Sequence, residues 1–297
     1  MDENTISRRD FLKGGAAAAI AGAAVLAVPE DSRPGTTANT KVVLVRNRDV
    51  LDERGRVREE VAQLMLDQAV TTLTGIKDRV GAWKRLVKPA DVVGIKTNVW
   101  EPLRTPPELE NAISRRLTEA GVPAAKIGVR DRGLPGDPIF TGATALVNIR
   151  PLRTHHWAGV GSCIKNYIMF VNEPWVYHPD TCADLAAIWQ LPIVKGKTRL
   201  NILLLFSPLF HSVGPHGYDP KYTWHYCGML AGFDPVAVDS TGVRLLQMKR
   251  KDFFGEDRPI NPPPKHVFLA DTRHHLGTAD PARIDLVKLG WQEGSFI

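Results

Sequence analysis

Runs of β-branched and aliphatic residues alternate with segments of helical period, and this alternation restricts the possible folds more than any other feature of the chain. Runs 41–47 (KVVLVRN), 91–99 (DVVGIKTNV), 126–133 (KIGVRDRG), 143–152 (ATALVNIRPL), 199–210 (RLNILLLFSPLF) and 264–271 (PKHVFLAD) predict strands. Between them, 57–75 places Val57, Val61, Leu64, Met65, Gln68 and Thr72 at helical spacing and stops at Gly75. Segment 105–121 predicts a second helix, with Thr105 as N-cap, prolines in the first turn and Gly121 as the stop. Segment 234–249 predicts a third, in which Asp234 before Pro235 reads as an N-cap; Asp239, a turn further on, is left open. Strand, helix and strand in succession favour right-handed parallel crossovers. The expectation is therefore an α/β fold with a mainly parallel, helix-covered sheet in three layers, as one large domain or two lobes.

In such sheets ligands sit beyond the carboxyl ends of the strands. The polar clusters fall at those ends: Lys96, Thr97 and Asn98 after the second strand, Asp131 and Arg132 after the third, Arg153 to His156 after the fourth, Ser207 to His211 after the fifth. The stretch HHWAGVGSCIKN (155–166) is the densest. His155 and His156 offer imidazoles, Ala158, Gly159, Gly161 and Ser162 allow a close backbone approach, and Lys165 with Asn166 opens the next segment. A desolvated lysine there holds an anion or acts as an amine of lowered pKa. A Gly/Pro-rich loop carrying His211, His216 and His225 is a candidate metal site, or an aromatic wall built by Tyr218, Tyr222, Trp224 and Tyr226.

Composition narrows the class. The 43% apolar and 24% charged residues describe a globular chain, and a formal net charge of +6 favours anionic partners. The basic residues are scattered, and the densest run, 248–254, lies in no nucleic-acid-binding motif, so no specific nucleic-acid partner is expected. Cys163, Cys182 and Cys227 lack the spacing of a zinc or iron–sulfur site; one disulfide with a free thiol, or three buried thiols, both fit. Serine-hydrolase, P-loop, dinucleotide-binding and zincin signatures are absent.

At the N-terminus, Arg8 and Arg9 precede Phe11, Leu12 and an alanine-rich run from Gly14 to Val28, which is shorter than the roughly 20 residues a spanning helix needs. This stretch resembles a twin-arginine (Tat) export signal. The resemblance assigns 1–28 to a signal peptide, makes the Tat machinery a partner, and implies a periplasmic or extracytoplasmic location, membrane-anchored if the signal stays uncut. Residues 29–40 read as a linker, 41–297 as the domain, with no transmembrane segment in the mature protein. Tat carries folded proteins, which suits a chain loaded with a cofactor before export.

The segments VVGIKTNVW, LVNIRPLRTHHWAGVGSCIKN with YHPD after it, and GFDPVAVDSTGVRLL resemble the DUF362 family over most of 41–297. Lys165-Asn166 keeps a family element, whereas Arg153 stands where the family typically has lysine. The iron–sulfur cysteines of fused relatives are absent. LRTPPELENAISRRLTEAGVPAAKIGVRDRG and HHWAGVGSCIK are similar to segments of the nickel-dependent lactate racemases. That resemblance implies a catalytic His155 paired with Lys165 as bearer of a nickel pincer nucleotide, Arg104 as carboxylate clamp and His178 as a metal ligand.

The resulting expectation is an exported, cofactor- or metal-dependent enzyme, an isomerase or oxidoreductase, acting on a small anionic substrate. Its catalytic residues would be His155, His156, Lys165 and Arg104; Lys96, Asn98, Arg153 and Asn166 would bind the anion, and His178, His211, His216 and His225 a transition metal. Proton or hydride exchange beside a carboxylate would use a histidine titrating near neutrality. The alternative is a periplasmic protein that holds a metal or cofactor without turnover.

Overall fold

The computed structural model describes residues 39–212 and 217–297. The expected signal peptide (1–28), nearly all of the linker and His216 lie outside the described residues. Five of the expected strands form: β1 (Thr40–Arg46), β2 (Val93–Lys96), β3 (Ile127–Arg130), β4 (Ala145–His155) and, after the short β5 (Gly159–Gly161), β6 (Thr198–Leu209). β7 (Gly228–Gly232) and β8 (Ile284–Gly290) complete one eight-stranded sheet of order β3-β2-β4-β6-β7-β1-β8, with β5 paired to β4. The pairs β2–β3, β2–β4, β4–β6 and β1–β8 are parallel, and β7 runs antiparallel to both its neighbours.

Helices α1 (Glu59–Thr74), α2 (Arg79–Leu86) and α3 (Pro107–Glu119) cover one face. Helix α1 buries Ala62, Met65, Leu66, Ala69, Val70 and Leu73, while Leu64 is exposed, so its core stripe is rotated from the expected one. Thr105 does not cap α3: Pro106 is the N-cap, and the Thr105 hydroxyl accepts from the Asn98 amide. On the opposite face lie the short α4 (Cys163–Asn166), α5 (Pro235–Phe254) and α6 (Lys265–Thr272), over two apolar clusters centred on Leu203, Leu230 and Leu246 and on Ile164, Tyr167 and Trp189. The described residues thus form three layers around one sheet in one compact unit, not two lobes.

The expected strand at 264–271 is instead helix α6. Four consecutive apolar residues fit either element. His266, Val267 and Ala270 are buried while Phe268 is 46% exposed, a helical pattern. Asp234 caps α5 as expected, accepting from the Val236 and Ala237 amides and also from Thr278.

Candidate functional site

Strand β4 is buried along its whole length, yet it carries Asn148, Arg150, Arg153 and Thr154. Buried polar residues must find partners or be held for a purpose. Asn148 finds them: its amide donates to the Cys163 carbonyl and to Asn201 Oδ1 on β6. Asn166 Nδ2 donates to Asn148 Oδ1 (2.8 Å), Ile149 O and Lys96 O, and its Oδ1 accepts from Lys96 Nζ (3.1 Å). Lys96, wholly buried at the end of β2, donates also to Asp131 Oδ1 and Thr97 O, both at 2.7 Å. Three acceptors satisfy its three protons, so Lys96 and Asn166 tie β2, β4 and α4 together. Burial lowers the Lys96 pKa to about 8 against the pull of Asp131.

Helix α4 is set by Asp239 of α5. One carboxylate oxygen accepts from the Ser162 hydroxyl (2.6 Å) and the Ile164 amide (2.8 Å), the other from the Cys163 amide (2.8 Å). These bonds fix the turn that carries Lys165. Burial nevertheless pushes Asp239 up to about 6. Asp239 thus positions the backbone that carries the lysine.

Arg150, Arg153 and Lys165 are 4%, 3% and 3% exposed. Arg153 lies with its guanidinium 4.1 Å from the Trp100 ring, and its Nε and Nη1 are buried without a hydrogen-bond partner, as is Arg150 Nε. Lys165 Nζ approaches the Cys182 thiol at 3.8 Å, which is a weak acceptor. Burial, and then the fields of Arg150 and Arg153 against the thiol, lower its pKa to about 8. Burial and Arg150 push Arg153 downward; a guanidinium stays charged, so the strain is felt as unrelieved repulsion. Four cations (Lys96, Arg150, Arg153 and Lys165) thus share one neighbourhood with two carboxylates, Asp131 and Asp239.

His155 Nδ1 accepts from the Trp157 amide, and its ring stacks on His156 at 4.6 Å. Burial and the charges of Lys165, Arg150 and Arg153 hold His155 far below the ordinary imidazole range. His156 packs on Trp157 at 4.2 Å, and Trp157 on His178 at 4.1 Å. His178 is lowered to about 4, by burial first and then by Lys165 and His156.

Other expected members lie elsewhere. Arg104 is half-exposed and paired with Glu101 at 3.2 Å, and its charge also acts on Glu110. Asn98 is buried next to the loop, closed by Thr105, that carries Arg104. His211 Nδ1 meets Arg250 at 2.8 Å, whereas His225 is exposed, with the nearest atom of its ring 4.0 Å from where a Gly55 Cβ would stand. Among the described residues no three His, Cys, Asp or Glu side chains are grouped to hold a metal ion. Imidazoles beside cations also disfavour a metal cation. The described residues therefore do not fit the nickel cofactor. Cys163, Cys182 and Cys227 are free and buried, which excludes the disulfide. The small residues serve the protein's own packing: a Cβ on Gly159 would stand 2.3 Å from the Pro262 carbonyl oxygen, and one on Gly161 2.7 Å from Arg150 Nη2.

Sequence reasoning passed over Arg150, Asn148 and His266. For the first two the signal was present: Asn148 and Arg150 interrupt an otherwise apolar strand two residues apart. His266 was hidden by the wrong assignment of its segment.

Fold and site together define an α/β protein with a buried cationic cluster at the carboxyl end of β4. Residues 135–244 match the family described as "Domain of unknown function (DUF362)", and the chain carries that domain. Residues 5–27 match the "TAT (twin-arginine translocation) pathway signal sequence", so this is a Tat-exported protein. No helix among the described residues is long and apolar enough to cross a membrane. No curated protein and no solved structure matches the chain, and the racemase similarity rests on its two short segments alone.

Proposed function

We propose that the exported domain takes a small anion into the cationic cluster and exchanges a proton with the bound molecule through Lys165. The observation that carries the reading is Arg153: a nearly fully buried guanidinium with two unpartnered N–H groups, set among like charges. Natural folds seldom keep buried donors unpaired. An anion would satisfy them and offset the repulsion between Arg150 and Arg153. Lys165, with its pKa near 8, is the group in the cluster whose proton is both held and released around neutral pH. Lys96 is spent on Asp131, Thr97 and Asn166, and the lowered pKa values of His155 and His178 keep these two imidazoles neutral.

Thermal melts of the mature protein across chloride, acetate, sulfate and phosphate at constant ionic strength test the binding step. Stabilisation by an anion in the wild type that vanishes in Arg153→Met is expected; equal response in both proteins contradicts the site. Proton exchange is tested by deuterium incorporation from solvent into a panel of carboxylic and hydroxy acids. Incorporation lost in Lys165→Met supports catalysis, and binding without incorporation reduces the function to retention of the anion.

A further inference from the structure

Helix α6 places His266 against α4, wholly buried, with both ring nitrogens lacking a hydrogen-bond partner. The chain just before α6 is pressed onto β5, since the Gly159 backbone leaves no room for a Cβ beside Pro262 and Pro264. The charges of Lys165 and Arg150 act on the imidazole and, with burial as the larger cause, keep it neutral, down to about 3. His266 is thus a buried, neutral imidazole with unpartnered ring nitrogens, on a helix packed against α4 and within the field of Lys165 and Arg150. It lies beyond residues 135–244, which the family match covers.

The donors awaiting an acceptor are therefore Arg150 Nε, Arg153 Nε and Nη1, and one His266 nitrogen, with Lys165 Nζ held only by a thiol. Asp131 is engaged by Lys96, and Asp239 by Ser162 and the α4 amides. With those two carboxylates counted, the cluster keeps a surplus of two positive charges. A monocarboxylate supplies one negative charge and two oxygens in a plane. A phosphoryl group supplies nearly two charges and three oxygens spread in three dimensions. We propose that the ligand of this site is a tetrahedral dianion, a phosphoryl group free or as a monoester, bound by Arg150, Arg153 and Lys165, with His266 as a further binding residue. This inference rests on the anion-site reading.

Calorimetric titration of the mature protein near pH 7.5 with inorganic phosphate, sulfate and acetate at equal ionic strength tests it. Phosphate and sulfate are expected to bind about tenfold or more tightly than acetate, the equivalent of one charge-assisted hydrogen bond. His266→Phe, which replaces a buried ring by a ring, should keep acetate affinity and narrow that gap. Methyl phosphate distinguishes the source: binding equal to phosphate identifies a monoester site, and exclusion identifies free phosphate. Acetate binding as tightly as phosphate overturns the dianion while leaving the anion site standing. No binding of any anion overturns both readings. A gap unchanged in His266→Phe overturns the role of the histidine.

Discussion

Replacing Arg153 by methionine should stabilise the anion-free protein, an unusual sign for a core substitution. Arg153 is 3% exposed and carries two buried N–H groups without partners. Each unsatisfied buried donor costs about 1–3 kcal/mol. Against this stands its contact with Trp100 at 4.1 Å, a cation–π interaction worth about 2 kcal/mol when desolvated. Methionine fills most of the aliphatic volume and removes the charge facing Arg150. The balance favours the variant by about 2 kcal/mol, or about 4–8 °C in Tm for a domain of this size. The assay is calorimetry after exhaustive dialysis into a zwitterionic buffer of low ionic strength, free of chloride, phosphate, sulfate and small carboxylates. Repeating it with phosphate should close the gap, because only the wild type gains from the ligand. A variant melting several degrees below the wild type in anion-free buffer refutes the reasoning, since Arg153 would then be a structural cation with its partners satisfied.

Four further expectations follow from the same geometry. Asp239→Asn leaves one oxygen to serve two amides and a hydroxyl, and should cost about 2–3 kcal/mol in urea unfolding as well as the anion response carried by Lys165. Lys96 and Lys165, lowered from 10.5 to about 8, bind fewer protons folded than unfolded between those values; their contribution to stability rises with pH across that window, and Lys165→Met should flatten the rise in the urea midpoint. His178 and His266, lowered to about 4 and about 3, contribute stability that is lost as pH falls below about 6.5, against an opposite trend from Asp234 and Asp239, raised to about 6; melts near pH 5 should show His266→Phe losing less than the wild type. Asp180, Thr181 and Cys182 all adopt left-handed backbone (φ 50°, 55° and 63°) next to the Lys165 contact; Thr181→Gly should stabilise by about 1 kcal/mol in the same unfolding assay.

The sheet was legible wherever a strand is buried on both faces. The runs at 41–47, 143–152 and 199–210 are apolar because helices cover both sides, and all three form. β8 escaped because it is an edge strand with only Ile284 fully buried, and its sequence IDLVKLG carries a weak alternation. β7, GMLAG, is too short and glycine-bounded to stand out, although it sits between β6 and β1. At 264–271 local apolarity suited a strand, but three prolines fix the entry and burial of His266, Val267 and Ala270 selects a helix.

The site was legible as a place more than as a set of roles. Lys96, Arg153, His155, Lys165 and Asn166 do converge, because each follows or ends a parallel strand, or follows the β5 return. Their roles depend on partners that no linear reading supplies. Lys96 is saturated by Asp131, 35 residues away, and α4 is anchored by Asp239, 76 residues beyond Cys163. Burial and the charges of Lys165, Arg150 and Arg153 lower the pKa of His155, an effect that the adjacent HH letters alone do not reveal. Arg104 is paired at the surface with Glu101, three residues before it, a partner that the sequence reading did not weigh.

The most direct test of the cationic site is to see where an anion goes. Crystals of the mature protein soaked in selenate, a tetrahedral dianion with a strong anomalous signal, should show a peak within hydrogen-bond distance of Arg153 and Lys165, and none there in Arg153→Met. Selenate confined to surface lysines and arginines, with the guanidinium of Arg153 bonded only to protein, would contradict the account.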